Sequence, residues 1–196
     1  MLKVLCLHGF NQNQEIFKHK CAFLRDRFKN IFELTFIDAP YKLPNDSGNA
    51  WWIYSKEAPL DIKWENIIGH NVDHINLDAS LQFVKKIWNE NKFDGILGFS
   101  QGATMASFIC HNKDNLNINP KFVISISGFK SNLLINEIDI PSIHIIGLSD
   151  EIILPTYSHD LAKSFKNPLI FEHNGKHVIP SNALFKNKLK EFLNKF

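Results

Sequence analysis

The chain alternates short apolar runs with longer stretches in which apolar residues recur at helical spacing. Apolar runs without strict alternation are typical of parallel strands covered on both faces, and they lie at Leu2 to Leu7, Glu33 to Ile37, Gly95 to Gly98, Phe122 to Ser127, Ser142 to Gly147 and Leu169 to His173. Apolar residues three or four positions apart predict helices at Gln14 to Phe28, Leu77 to Trp88, Ala103 to Cys110, Pro155 to Phe165 and Asn182 to Asn194. This alternation predicts an α/β fold, with an open, mostly parallel sheet of about six strands and helices on both faces.

One stretch, residues 41–76, breaks the alternation. It is rich in turn residues and holds three of the 4 tryptophans, Trp51, Trp52 and Trp64. A connection of this length inside a compact domain is usually a lid or a binding loop. The indoles either plug the flank of the core or hold an apolar substrate. We therefore expect one domain over residues 1–196, with residues 41–76 as a partial lid.

Composition and charge argue against several classes of protein. A chain of 196 residues is long enough for one full core and too short for two. A net charge of +2 gives no field that would attract nucleic acid, and no apolar run approaches the length of a membrane span, so we expect neither nucleic-acid partners nor stable membrane insertion. The start lacks the pattern of a secretory signal, which favours a cytoplasmic protein.

Cysteine and histidine spacing gives no sign of a metal site. The 3 cysteines have neither the even count nor the spacing of a disulfide framework or a zinc site, and we expect them to be buried free thiols. His70 and His74 are four apart, but no third ligand accompanies them. The expected chemistry therefore needs no metal and no other cofactor.

The stretch from Phe93 to Ala106 carries the strongest chemical signal. Within it, residues 98–102 read Gly-Phe-Ser-Gln-Gly, the Gly-x-Ser-x-Gly pattern of a nucleophile elbow. Such an elbow needs a buried strand before the serine, a strained turn at it and a helix directly after it. The glycines two places on either side have a steric reason, because the strained turn brings those positions together. The pattern predicts Ser100 as a nucleophile.

The loop after the first strand, His8 to Asn13, is the expected source of one oxyanion donor. In hydrolases with an elbow, one backbone N–H comes from this loop and the other from the residue after the nucleophile. The candidates are the amides of Phe10 or Asn11 and the amide of Gln101. His8 stands beside a glycine at a strand end, where a histidine more often supports a loop than acts as a base.

A serine nucleophile needs a base and a carboxylate that orients the base. In elbow-type hydrolases the chain order is serine, acid, histidine, and the last two follow strands beyond the nucleophile. Asp150 follows the strand that ends at Gly147, and His177 follows the last strand. Glu151 would also serve as the acid and His173 as the base, but the loop positions favour Asp150 and His177.

Together these segments resemble the FSH family of serine hydrolases, of the yeast family-of-serine-hydrolases and ovarian-cancer-associated protein 2 type. The resemblance covers nearly the whole chain, and the segments that carry it are His8 to Asn13, Ile37 to Pro40, Ala50 to Trp52, Phe93 to Ala103 and His173 to Pro180. It implies a compact α/β-hydrolase fold. It also implies the triad of Ser100, Asp150 and His177, acting on carboxylic esters or thioesters.

From this resemblance we expect a small-molecule acyl ester or thioester as the substrate, cleaved through an acyl-enzyme. The residues expected to contact its apolar acyl chain are chosen by position alone, and they are Trp51, Trp52, Phe99, Ile152 and Ile153. Two alternatives stay open. One is an enzyme of the acyl-protein thioesterase or lysophospholipase type, whose sequences share the Gly-Phe-Ser-Gln-Gly elbow. The other is a pseudo-hydrolase that binds a ligand without catalysis.

Overall fold

The structure, a computed structural model, describes residues 1–196 apart from the side chain of Asn45. The strands, in chain order, are β1 (Leu2–Leu7), β2 (Phe32–Ile37), β3 (Tyr41–Lys42), β4 (Asn49–Ala50), β5 (Gly95–Phe99), β6 (Phe122–Ile126), β7 (Ser142–Gly147) and β8 (Leu169–His173). The helices are α1 (Gln14–Lys20), α2 (Ala22–Arg27), α3 (Leu77–Glu90), α4 (Gln101–His111), α5 (Lys113–Leu116), α6 (Pro155–Ala162) and α7 (Ala183–Leu193).

Six of the strands form one parallel sheet in the order β2-β1-β5-β6-β7-β8. The prediction of an α/β fold with about six parallel strands is therefore confirmed. The chain runs outward from β1 to β2 on one side and from β5 to β8 on the other, so the strand order reverses between β1 and β5. Open α/β sheets bind ligands outside the carboxyl ends of the strands at such a point.

Two hydrophobic cores cover the two faces of the sheet. One core contains residues of α3 and α4, and we call its side of the sheet the α4 face. The other contains residues of α1, α2 and α7, and we call its side the α7 face. Successive side chains of a strand point to opposite faces: Leu5 and Leu7 of β1 face α4, while Val4 and Cys6 face α7. The inner strands β5, β6 and β7 are buried on both faces for this reason, whereas the edge strands β2 and β8 are only partly buried.

The predicted helix from Gln14 to Phe28 is wrong in one respect, because it is two helices that meet at Cys21. Phe17, Cys21, Leu24 and Phe28 are buried on both segments, so the apolar spacing marks the buried face but does not detect the break. Cys6, Cys21 and Cys110 are buried free thiols, as the sequence predicts. No helix within the described residues combines the length and the apolar character that crossing a membrane requires.

Residues 41–76 contain more structure than the sequence predicts. β3 and β4 form a small antiparallel hairpin, Ile53 and Ile75 pair by an isolated bridge, and residues 64–66 make one short 3-10 turn. The hairpin is joined to the loop after β1, because the N–H of Asn11 donates to the carbonyl of Asn49 at 3.0 Å. This stretch therefore packs against the loops at the carboxyl edge of the sheet.

His144, in the middle of β7, makes the stability of the fold depend on pH. Burial, and then the nearby charge of His159, lower its pKa from 6.5 to about 3, so between these values the unfolded chain binds a proton that the folded chain does not. The unfolding free energy therefore keeps its full value above pH 6.5 as far as His144 is concerned, and it decreases as the pH falls from 6.5 towards 3. We expect the unfolding free energy of His144→Leu to fall by about 1.4 kcal/mol less per pH unit than that of the wild type.

Urea unfolding at pH 6, 5 and 4 measures this slope. Ser142→Ala is the matched control, because it removes the hydroxyl that lies 3.2 Å from the His144 imidazole without removing a titratable group. It should keep the wild-type slope. Equal slopes for the wild type and His144→Leu would contradict the prediction.

Candidate active site

Ser100 sits at a strained turn between β5 and α4. Its backbone has φ 54° and ψ −119°, in a region that side chains rarely adopt. A Cβ atom on Gly98 would lie 2.3 Å from the carbonyl oxygen of Gly102, and one on Gly102 would lie 2.1 Å from that of Leu7. Both positions therefore need glycine. The strand, turn and helix predicted around the serine are present, and Ser100 stands at the N-terminus of α4.

Gln101 connects this turn to the tryptophan segment. Its side chain is fully buried; Oε1 accepts the N–H of Trp51 at 3.0 Å, and Nε2 donates to the carbonyl of Trp52 at 2.8 Å. Its backbone N–H belongs to the first residue of α4, where no carbonyl of the same helix can accept it. The side chain thus holds the neighbouring loop, and the amide remains directed out of the helix beside Ser100.

In the loop after β1, the two amides on either side of Phe10 are engaged. The N–H of Gly9 donates to Gln12 Oε1 at 3.2 Å, and the N–H of Asn11 donates to the carbonyl of Asn49 at 3.0 Å. Of the amides of residues 9, 10 and 11, that of Phe10 has no acceptor among the described residues. The sequence left Phe10 and Asn11 as alternatives, and the hydrogen bond to Asn49 speaks against Asn11.

His8 supports this loop. Its Nε2 accepts the N–H of Ala39 at 2.9 Å, which places the proton on Nδ1, and Nδ1 lies 2.7 Å from the carbonyl of Gly9. Burial lowers its pKa, although the Gly9 carbonyl and Asp38 act in the opposite direction. The imidazole is therefore neutral and fully engaged. It links the loop after β1 to the end of β2, in agreement with the supporting role that the sequence suggests.

Asp150 and His177 form a close pair. Asp150 Oδ2 lies 2.7 Å from His177 Nδ1, while Asp150 Oδ1 accepts the N–H groups of Ile152 at 2.9 Å and Ile153 at 3.0 Å. Burial raises the pKa of Asp150, but the hydrogen bond and charge of His177 and the two amides outweigh it, so the pKa is below its ordinary value. The carboxylate is therefore ionised and held in one orientation towards the imidazole.

The competing residues are engaged elsewhere. Glu151 is exposed and lies 3.5 Å from the ammonium of Lys176. His173 Nδ1 accepts the N–H of Gly175 at 3.1 Å, so its ring supports the turn that leads to His177. The contact geometry therefore pairs Asp150 with His177, as the sequence favours.

The loops after β7 and β8 are in contact along their backbones. The N–H of Leu148 donates to the carbonyl of His173 at 2.8 Å, and that of Ser149 to the carbonyl of Gly175 at 3.2 Å. A Cβ atom on Gly147 would lie 2.4 Å from the carbonyl oxygen of Lys176. Gly147 thus allows the histidine loop to lie directly on the acid loop, which brings the two side chains together.

Phe99 places the imidazole beside the elbow. Its ring lies 4.7 Å from the His177 ring, centroid to centroid, and belongs to the core of the α7 face. The described residues show no hydrogen bond from the Ser100 hydroxyl to His177. In enzymes without substrate this bond is often long and tightens when substrate binds.

The residues predicted to contact substrate are mostly part of the core. Trp51 and Trp52 are 0% exposed, and Ile153 is also 0% exposed, so these three fill the protein interior. Phe99 is 1% exposed and supports His177, whereas Ile152 is 49% exposed. Of the two roles considered for the tryptophans, Trp51 and Trp52 take the core role. Ile152 is the one member of the predicted set with an open side chain.

Sequence reasoning missed the partners that orient the loops, Gln12 and Asn49. It considered the indole of Trp64 for a core or a substrate-holding role, but left Trp64 out of the residues expected to contact the acyl chain. Trp64 is half-buried, and its ring contacts Phe10 at 5.9 Å and Phe129 at 5.4 Å. A signal was present for Gln12, which stands three residues after Gly9 in the loop. Nothing in the local pattern distinguishes Trp64 from the two buried tryptophans.

Comparisons with known proteins show the family of the chain. A profile of the family described as serine hydrolase (FSH1) matches residues 1–189. Esterase OVCA2 of Xenopus tropicalis is 33% identical over 219 residues, which cover 100% of this chain and 94% of the relative. Esterase CG5412 of Drosophila melanogaster is 34% identical over 217 residues, which cover 98% of this chain and 76% of the relative.

A solved structure shares the fold. Acyl-protein thioesterase 2 of Zea mays matches with a TM-score of 0.67 and 18% identity, over 98% of this chain and 94% of that one. The six-stranded parallel sheet and the serine at the elbow thus define an esterase-like α/β-hydrolase. Because the family profile matches almost the full length, the chain belongs to the FSH1 serine hydrolase family. It is a hydrolase.

Proposed function

We propose that the protein hydrolyses carboxylic esters of apolar acyl groups, with Ser100 as nucleophile, His177 as general base and Asp150 as the group that orients the base. The observation that carries this proposal is the 2.7 Å contact between His177 Nδ1 and Asp150 Oδ2, beside the strained turn of Ser100. A carboxylate on Nδ1 keeps the proton there. The lone pair of Nε2 is then available to accept the proton of the serine hydroxyl.

In the first half of the reaction, Ser100 Oγ attacks the ester carbonyl while His177 Nε2 takes the hydroxyl proton. The new Oγ–C bond gives a tetrahedral intermediate with its negative charge on the former carbonyl oxygen. When the intermediate collapses, the bond to the leaving oxygen breaks and His177 gives the proton to the departing alcohol. The product of this half is an acyl group esterified to Ser100.

In the second half, a water molecule replaces the alcohol. His177 takes a proton from the water, whose oxygen attacks the acyl carbonyl, and the collapse of the second intermediate returns the proton to Ser100 Oγ. A carboxylic acid leaves. A thioester follows the same steps with a thiol as leaving group, so the same residues serve both substrate classes.

The amides of Phe10 and Gln101 are the proposed oxyanion donors. Both lie at the carboxyl edge of the sheet: Phe10 in the loop after β1, and Gln101 at the start of α4, which follows the adjacent strand β5. Backbone donors held rigidly cost no reorganisation during the reaction, and removing one oxyanion donor costs about 3 kcal/mol in a serine protease. Two sets of hydrogen bonds keep the donors in place. The Gln101 side chain binds the backbone of Trp51 and Trp52, and His8 binds the N–H of Ala39.

We further propose that residues 1–196 act as one catalytic domain, with residues 41–76 covering part of the cleft. The substrate is a small acyl ester or thioester. The fold shared with the maize thioesterase is compatible with acylated proteins as an alternative substrate class.

Covalent labelling tests the proposal. A fluorophosphonate reacts with an activated serine, and peptide mapping of the labelled wild-type protein should place one adduct on Ser100. Hydrolysis of p-nitrophenyl esters, measured from acetate to decanoate, should fall in proportion to the labelled fraction. A protein that hydrolyses none of these esters and leaves Ser100 unlabelled would contradict the proposal and would favour a binding protein.

A further inference from the structure

Trp64 bridges two loops at the carboxyl edge of the sheet. Its indole lies 5.9 Å from the ring of Phe10 in an edge-on contact, and 5.4 Å from the ring of Phe129. Phe10 follows β1, and Phe129 follows β6. The hydroxyl of Thr104 holds both the N–H and the carbonyl of Phe129, at 3.1 and 2.8 Å. The indole also lies 6.3 Å from the ring of Tyr54. Its contact with Phe129 is anchored on α4, the helix that starts after Ser100.

The sheet order places this bridge at the nucleophile. β5 lies between β1 and β6, and Ser100 directly follows β5. A ring that contacts residues of both loops lies near the carboxyl end of the strand between them. One of the bridged residues, Phe10, also carries the proposed oxyanion donor.

Trp64 and His177 contact the cores of opposite faces of the sheet. Trp64 packs against the core of the α4 face, to which Phe129 belongs. His177 lies against Phe99, which belongs to the core of the α7 face. Because His177 must give its proton to the leaving group, the leaving group lies on the side of His177. The other substituent of the carbonyl carbon, the acyl chain, then extends towards the side of Trp64.

Trp64 also differs from its neighbours in exposure. Trp51 and Trp52 are 0% exposed, whereas Trp64 and Phe10 are both half-buried. Its 3-10 turn lies between Ile53 and Ile75, the two residues whose backbones pair with each other. Among the described tryptophans at this edge, Trp64 is therefore the one whose surface a substrate can reach.

We propose that Trp64 sets acyl specificity: the acyl chain of the substrate packs against its indole, which covers the acyl side of Ser100. This inference rests on the proposed function, because it uses His177 to define the leaving-group side. Trp64 contacts the substrate without taking part in bond making or breaking. Its replacement should change the preference among acyl chains and leave the chemistry at Ser100 intact.

The experiment measures kcat/KM for two ester series with Trp64→Ala, Trp64→Phe and the wild type. The first series varies the acyl chain from acetate to decanoate with p-nitrophenol as leaving group, and the second varies the alcohol with an acetyl group. The matched control is Trp88→Phe, since Trp88 contacts Phe93 near the opposite edge of the sheet. Fluorophosphonate labelling of Ser100 and thermal unfolding are measured for every variant.

We expect Trp64→Ala to lose about tenfold in kcat/KM for the decanoate and at most about threefold for the acetate, since apolar contact grows with chain length. The alcohol series and the labelling of Ser100 should be unchanged, and Trp64→Phe should fall between Trp64→Ala and the wild type. If Trp64→Ala unfolds at the assay temperature, the chain-length profile of Trp64→Phe decides.

Two results would overturn the inference while leaving the proposed function standing. One is a chain-length profile of the Trp64 variants that superimposes on that of the wild type. The other is a change confined to the alcohol series, which would put Trp64 on the leaving-group side. Absence of both labelling and hydrolysis in the wild type would instead remove the proposed function and, with it, the inference.

Discussion

Replacement of Ser100 by alanine should lower kcat for p-nitrophenyl ester hydrolysis by a factor of about 10⁵ to 10⁶. The hydroxyl supplies the bond that forms the acyl-enzyme, and no second serine can take its place at the elbow. In a serine protease that uses the same triad, removing the serine or the histidine costs a factor of about 10⁶. Alanine keeps the small Cβ that the turn already accommodates, so the fold should be retained. Steady-state kinetics and circular dichroism measure the two effects.

The losses of activity from removing Ser100 and His177 should not add. Ser100→Ala, His177→Ala and the double variant should lose the same activity within about threefold, because the two groups act in one proton transfer. Ser181→Ala, an exposed serine before α7, is the matched control and should keep wild-type kcat. Losses that multiply in the double variant would show that the residues act independently, and the proposed triad would then be wrong.

The fold was predictable because its signal is repeated along the chain. Each of the six parallel strands carries a short run with apolar residues, and the bounds of Leu2–Leu7, Ser142–Gly147 and Leu169–His173 agree with those predicted. The break at Cys21 was not predictable from spacing, because both helices bury the same face. The hairpin of β3 and β4 was missed because each of its strands has two residues, which is too short to show a period.

For the candidate site, the sequence is informative where chain order and loop position carry the signal. Ser100 stands in a five-residue pattern, and Asp150 and His177 each follow a strand that ends at the same edge. The preference for Phe10 over Asn11 as the proposed donor rests on the hydrogen bond from Asn11 to Asn49, a partner 38 residues away in the chain. Local sequence does not specify which of two adjacent amides a distant carbonyl will accept.

The burial of the tryptophan side chains also depends on long-range contacts that local sequence does not specify. All three in residues 41–76 are equally apolar, and the sequence assigns them no order of exposure. In the structure, the buried side chain of Gln101 binds the backbone of Trp51 and Trp52 and draws that segment into the core. Trp64 follows a separate turn and stays half-buried. A long-range hydrogen-bond partner, and not the residue type, separates the two core tryptophans from the half-buried one.

Replacement of Asp150 by asparagine should lower kcat by a factor of about 10⁴, while binding of substrate changes little. The N–H groups of Ile152 and Ile153 donate to Oδ1 of Asp150, so in the variant they select the asparagine oxygen for this position. The asparagine NH₂ group then takes the position of Oδ2 and faces His177 Nδ1. A donor at this position forces Nδ1 to accept and moves the imidazole proton to Nε2. That tautomer cannot take the proton of Ser100.

Glu151→Gln is the matched control, because Glu151 is the adjacent carboxylate and is exposed beside Lys176. It should keep kcat within about twofold of the wild type, and a large loss in Glu151→Gln with normal activity in Asp150→Asn would assign the acid to Glu151.

A second readout for Asp150→Asn is its stability in acid. The pKa of Asp150 is lowered in the fold, so its stabilising effect is present above its ordinary pKa and is lost as the pH falls through the lowered value. Asp150→Asn should therefore lose less stability than the wild type over that range, which separates an effect on the charged pair from a general loss of structure.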